Sequence, residues 1–401
     1  MTNGLSGPRK QFLDVLRVLA TCAVVLMHVL TGATDVTDAS IVPEYRSLLL
    51  SVMDLVTWCV PIFLLISGYL FLNPERTLTY PVMIKKYCRR IALAILLFGV
   101  PYAASELVVA ERTFRIRMIP EALKMTLMGH TWSHMWYLYL ILFLYLITPL
   151  LKKVLRVLPV WGVAAVMTVI FLGSSVAPFL NKVLDVNSIP VLPDGGVYFL
   201  YYLCGYLFTV REVCVDKGRN VGGQMVKPGS GRRAGDNTEW DGETQNVESQ
   251  AWNVWLIAAA VLIMGMILSR TLAGFSIQMA YNYPFTVLLA VLLFAAGWTG
   301  GRDGADSTAR EKDRTHRIPW QEAGALSFAV YLVHPVYVNL LYKFVKITPF
   351  TVLKQCGVQS VAAGHAVLIL LLTVFCLVVL ALATATAWVL RKIPVLRKFV
   401  L

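Results

Sequence analysis

Asp14, Arg17 and His28 place an acid, a guanidinium and an imidazole inside one apolar run over 12–32. Ten residues stand between Arg17 and His28. A helix turns about 100° per residue, so the step from Arg17 to His28 returns to within about 20° of the same face. Asp14, at i−3 from Arg17, shares that face. With a rise of about 1.5 Å per residue, Arg17 and His28 are separated by about 16 Å, too far for a direct hydrogen bond. A charge at mid-bilayer depth costs at least about 2.5–3.5 kcal/mol. A stripe that carries all three groups is therefore read as inward-facing and functional, rather than as an interfacial ion pair with a capped interior histidine. A neutral imidazole titrating near about pH 6.5 suits proton transfer around neutrality. It also suits transient covalent carriage of a group, and the spacing fits both. Arg17 suits an anion or a polarised carbonyl, and Asp14 can fix the guanidinium through a paired hydrogen bond.

Other polar residues inside apolar runs form a second tier. Ser67-Gly68-Tyr69 follows an apolar stretch, where small residues let helices approach closely. His134, Trp136, Tyr137 and Tyr139 open another run as an interfacial aromatic group or a ring-stacking surface. Ser327, Tyr331 and His334 bring a second intramembrane imidazole late in the chain. Lys85, Lys86, Arg89 and Arg90 enter a further run as topological anchors or as a clamp for an anionic ligand. His130 and His134 have the i, i+4 spacing of a metal pair, but no third ligand is evident nearby, and no metal is expected.

The elements that must position these residues follow from composition. The chain is 57% hydrophobic and 15% charged, against roughly a quarter charged in soluble domains. The apolar residues fall in runs near the length that spans a bilayer, about 20 residues. The expected spans are 12–32, 49–72, 89–109, 135–151, 160–180, 197–210, 253–272, 280–299, 321–342 and 363–390. The fold class is thus all-α, a polytopic transmembrane helix bundle of about ten spans. Its localisation is the plasma membrane as a multi-pass protein. The net charge of +13 does not indicate nucleic acid, because Lys and Arg concentrate in alternate short loops and at the C-terminus. That alternation puts both termini in the cytoplasm. The loop at 110–134 runs against it, with Arg112, Arg115, Arg117 and Lys124 on the outer side. Residues 211–250 are polar and read as a disordered cytoplasmic loop within a single domain over 1–401. Cys22, Cys59, Cys204 and Cys376 lie in apolar runs as small buried hydrophobes.

Taken in order, these residues resemble the bacterial integral-membrane acyltransferase-3 family, which includes O-acetyltransferases of cell-surface polysaccharides and peptidoglycan. The acid-x-x-Arg opening, the ten-residue interval and the histidine match Asp14, Arg17 and His28. The "SG-aromatic" group matches Ser67, Gly68 and Tyr69. The His/aromatic start of the fourth span matches His134, Trp136, Tyr137 and Leu138. The late motif matches Ser327, Phe328, Tyr331, Leu332 and His334. The resemblance implies transfer of an acyl group, above all acetyl, from cytoplasmic acetyl-CoA to a hydroxyl of a cell-envelope glycan or lipid-linked sugar. It implies His28, Arg17 and Asp14 as catalytic residues. Lys85, Lys86, Arg89 and Arg90 would bind the donor. His134, Trp136, Tyr137, Tyr139, Ser67, Tyr69, Tyr331 and His334 would line the substrate path. A separate extracytoplasmic partner and the surrounding lipids complete the expected partners. A transporter or flippase for a lipid-linked sugar or small anion would use the same polar stripe, and a scaffold acting through 211–250 is a third reading.

Overall fold

The computed structural model describes residues 10–36, 42–225, 238–273, 280–303, 320–358 and 360–400. Among these the chain is helical and without strands. The main helices are α1 (Gln11–Val36), α2 (Val42–Val56), α3 (Cys59–Phe71), α4 (Arg89–Glu111), α5 (Met118–Leu127), α6 (Trp136–Val157), α7 (Val160–Phe171), α8 (Gly195–Met225), α9 (Thr238–Ala273), α10 (Pro284–Asp303), α11 (Trp320–Asn339) and α12 (Val361–Lys392).

Nine stretches among the described residues are long and apolar enough to cross a membrane. The chain is a multi-pass membrane protein. The expected span at 197–210 lies in α8 and is not one of the nine. Tyr198, Tyr201, Tyr202 and Tyr206 make α8 less apolar than its neighbours. The expected span at 49–72 is divided at Thr57 and Trp58 into α2 and α3. Pro61, which has no N–H to return to the preceding turn, follows the break. The expected loop at 110–134 contains α5, which packs back along α4. A Cβ added at Gly99 of α4 would lie 2.7 Å from Thr126 of α5. Helices α8 and α9 run into the polar stretch expected to be a disordered loop, and residues 226–237 lie outside the described residues.

Helix α1 occupies the middle of the bundle, against α2, α3, α10, α11 and α12. This is why its polar stripe faces protein and not lipid. The tightest crossing is between α3 and α8. A Cβ at Gly68 would sit 1.9 Å from the backbone oxygen of Tyr202, and one at Gly205 would sit 2.3 Å from that of Leu65. Neither neighbour is a side chain that can turn away. Gly68→Ala is therefore expected to destabilise the protein by about 1–3 kcal/mol or more through overpacking. A lowered unfolding temperature in detergent, with Cys204→Ala on the facing helix α8 as the control, is the measurement that checks it.

Among the described residues, one ion pair is buried on both sides. Arg270 Nε of α9 donates to Asp54 Oδ2 of α2 at 2.5 Å, with 1% and 4% of the two side chains exposed. It joins α9 to the body of the bundle.

Candidate active site

Asp14 is buried, and Arg17 Nη1 donates to its Oδ1 at 2.7 Å. α11 lies so close that a Cβ at Gly324 would fall 2.8 Å from Asp14. The acid thus pins the guanidinium at the i, i+3 spacing, in a bond stronger than a neutral one. Arg17 then borders a cavity of about 400 Å³ between α1, α3, α4, α6 and α11. At one end stand Arg17 and Arg90, beside Gly324 and Phe328; at the other stand Tyr137 and Tyr331. Between them lie Ser67 and Tyr145. Tyr87 and Ser327 also line it, the remaining lining is apolar, and no carboxylate faces the cavity among the described residues. Such a space fits a ligand with an anionic head and a slender, mostly apolar arm.

Beyond Tyr331 the protein gathers imidazoles. The Tyr331 ring lies 5.7 Å from His134 and 6.1 Å from His334, and its hydroxyl donates to the His134 carbonyl. The rings of His28 and His334 are 4.9 Å apart, those of His134 and His334 5.8 Å, and those of His28 and His134 6.3 Å. A stack of Trp132 on Tyr102, with centroids 4.2 Å apart, backs His134. His134 and His334 are buried, and His28 is only partly so. Nδ1 of His28 is 2.9 Å from the Val24 carbonyl, which fixes the ring against its own helix. Its Nε2 takes no hydrogen bond among the described residues. His28 is therefore the one imidazole of the three with exposed surface, and its Nε2 is the cluster's uncommitted exposed nitrogen.

The structure distributes the expected site residues unevenly. Asp14, Arg17, Ser67, Arg90, Tyr137 and Tyr331 meet at or beside the cavity, and His28, His134 and His334 form the cluster next to it. Lys85, Lys86 and Arg89 do not line the cavity; Lys86 instead lies over the Tyr87 ring, at 5.4 Å. Tyr69 turns away from the cavity. It accepts from Lys10 Nζ at 2.6 Å and donates to the Glu212 carboxylate, holding the start of α1 to α8. Tyr139 donates to the Thr126 carbonyl at 2.5 Å and secures α5. Trp136 packs against Tyr198 and Tyr281, and the Tyr281 hydroxyl reaches Met27 Sδ, next to His28, at 3.3 Å. Full burial of His334 leaves it no surface for a substrate.

Tyr145 was missed by motif reading. Its signal was in the sequence: Tyr137, Ile141 and Tyr145 repeat at i, i+4, i+8 and share one helix face. Among the described residues no group of His, Cys, Asp and Glu is arranged to hold a metal ion.

The sequence pattern of a family described as an acyltransferase domain matches residues 10–389. No curated protein and no solved structure matches the chain.

Proposed function

The chain belongs to the acyltransferase-3 family of membrane acyltransferases, and from that premise we propose that it moves an acetyl group from cytoplasmic acetyl-CoA to a hydroxyl of a cell-envelope glycan or lipid-linked sugar. The observation that carries this reading is a single arrangement. A cavity with Arg17 and Arg90 at one end reaches, at its other end, an aromatic wall whose far side touches the histidine cluster. With both termini cytoplasmic, the arginine end faces the donor's compartment and His28 faces the acceptor's.

Each residue then has a physical role. Arg17 and Arg90 hold anionic groups of the donor by charge-assisted hydrogen bonds, and Asp14 keeps Arg17 in one orientation. The apolar walls take the thioester arm. Tyr137 and Tyr331 separate that arm from His28 in this conformation, so transfer requires the half-buried Tyr137 ring to turn aside. His28 Nε2 takes the proton of the acceptor hydroxyl as its oxygen bonds to the thioester carbon. The carbon–sulfur bond breaks, and the departing sulfur recovers the proton. Trp136, Tyr198 and Tyr281 offer ring faces to a sugar beside Met27 and His28.

Label transfer from radiolabelled acetyl-CoA into the glycan and lipid-linked fractions of membranes tests this, with wild type and His28→Ala compared at matched expression. Label incorporated by wild type and lost in the variant is the expected result. No label in either, with acceptors present, favours the transporter reading. Arg17→Gln is expected to weaken protection of the protein by acetyl-CoA against thermal unfolding by about 10- to 100-fold in ligand concentration. That is the worth of one hydrogen bond to a charged group.

A further inference from the structure

His28 and His334 are closer than the cluster's other ring pairs, and His28 Nδ1 lies 3.3 Å from His334 Nε2. Their surroundings fix where the protons sit. His334 Nδ1 faces the carbonyl oxygens of Tyr331 at 2.8 Å and Val330 at 3.2 Å. Carbonyl oxygens only accept, so Nδ1 carries the hydrogen and Nε2 of the neutral ring carries the lone pair. The same holds for His28, whose Nδ1 faces Val24 O at 2.9 Å. Its N–H is shared between that carbonyl and His334 Nε2. One N–H thus connects the open basic nitrogen of His28 to a second basic nitrogen buried behind it.

We propose that His334 is the proton-sharing partner of His28. When the acceptor's proton binds His28 Nε2, the Nδ1 proton of His28 passes to His334 Nε2, and it returns as the departing sulfur is protonated. The net change is that of the acyl transfer: one O–C bond forms, one C–S bond breaks, and one proton moves from oxygen to sulfur. Sharing spreads the positive charge over two rings, and the Val24, Val330 and Tyr331 carbonyls point their negative ends at it. The other groups facing His334 are His134, across 5.8 Å between ring centres, and Tyr331 at 6.1 Å on its own helix. Tyr102 of α4 donates to the neighbouring Leu332 carbonyl. Among the described residues no carboxylate pairs with any imidazole of the cluster. His334 therefore stands where an acid stands behind the histidine of other acyl-transfer sites. It is a positioning residue that acts through His28.

This inference rests on the acyl-transfer reading for its purpose but has its own readout. The experiment compares full-length wild type, His334→Gln and His334→Phe. The glutamine carbonyl oxygen can accept from His28 Nδ1 but cannot take its proton, and phenylalanine does neither. In a ¹⁵N-histidine NMR titration in detergent, wild-type His28 is expected to show two coupled steps and His334→Gln a single one. Turnover is expected to fall about 10- to 100-fold in both variants with the donor KM unchanged, the scale found when the outer hydrogen-bond partner of a metal-bound histidine is removed. Wild-type turnover in His334→Gln overturns proton sharing, because an acceptor alone would then suffice. A single-step titration of wild-type His28 also overturns it, and decides the matter if the variants do not fold. Two steps in wild type without any acetyl transfer support the pair and overturn the function proposed for it.

Discussion

His28→Ala is expected to lower acyl transfer by about 10²- to 10⁴-fold, the usual contribution of a general base, while leaving donor binding intact. The two halves of this expectation come from different places in the bundle. His28 is the partly exposed imidazole of the cluster, with Nδ1 committed to Val24 and Nε2 open. His134 and His334 are 2% and 0% exposed, so neither can take its place against an acceptor. The cavity wall, by contrast, does not include His28. Acetyl-CoA should therefore protect His28→Ala against thermal unfolding as well as it protects wild type, although label transfer is lost. Protection lost together with activity would show that the substitution disturbs the bundle and not only the chemistry. Retained label transfer would remove His28 from the reaction.

Arg270→Leu is the substitution expected to destabilise the fold most. It leaves Asp54 charged, buried and without its guanidinium partner, which costs about 3–5 kcal/mol when one member of a buried pair is removed. Asp54→Leu combined with Arg270→Leu should recover much of that loss, since two apolar side chains can replace a buried pair at little cost. Unfolding temperatures of the single and double variants measure the coupling. Neither residue borders the cavity or the histidines, so label transfer per folded molecule should stay near wild type in the double variant.

Helix periodicity made α1 legible. The shared face of Asp14, Arg17 and His28 follows from the turn per residue, and the structure keeps that face against α11 and α3. His134 and His334 were also visible as unusual polar residues, but their contact with His28 depends on which helices pack together, and local pattern does not carry that. The expected substrate-path residues divide for a geometric reason. Ser67 and Tyr69 are two positions apart, as are Tyr137 and Tyr139, and two steps of about 100° send the second residue to the far side of the helix. A contiguous motif is therefore half in the site and half in the packing. Likewise Arg89 and Arg90 read alike as a basic pair, and only Arg90 borders the cavity. Helix α5 was hidden because, although Met118, Ala122 and Thr126 form a buried face at i, i+4, i+8, at ten residues it is too short to read as a span. Its stability comes from contacts with α4.

The aromatic wall of Tyr137 and Tyr331 has a bearing on the cell as well as on the reaction. A protein that works on substrates from both faces of a bilayer risks becoming a leak. Were the cavity continuous with the outer aqueous phase, protons and small ions could run down their gradients through it, and a bound thioester would be lost to hydrolysis. Two rings 5.9 Å apart, one anchored through its hydroxyl to the His134 carbonyl, stand between the cavity and the histidine cluster. On the proposed reading, these same rings would keep the membrane insulating between turnovers.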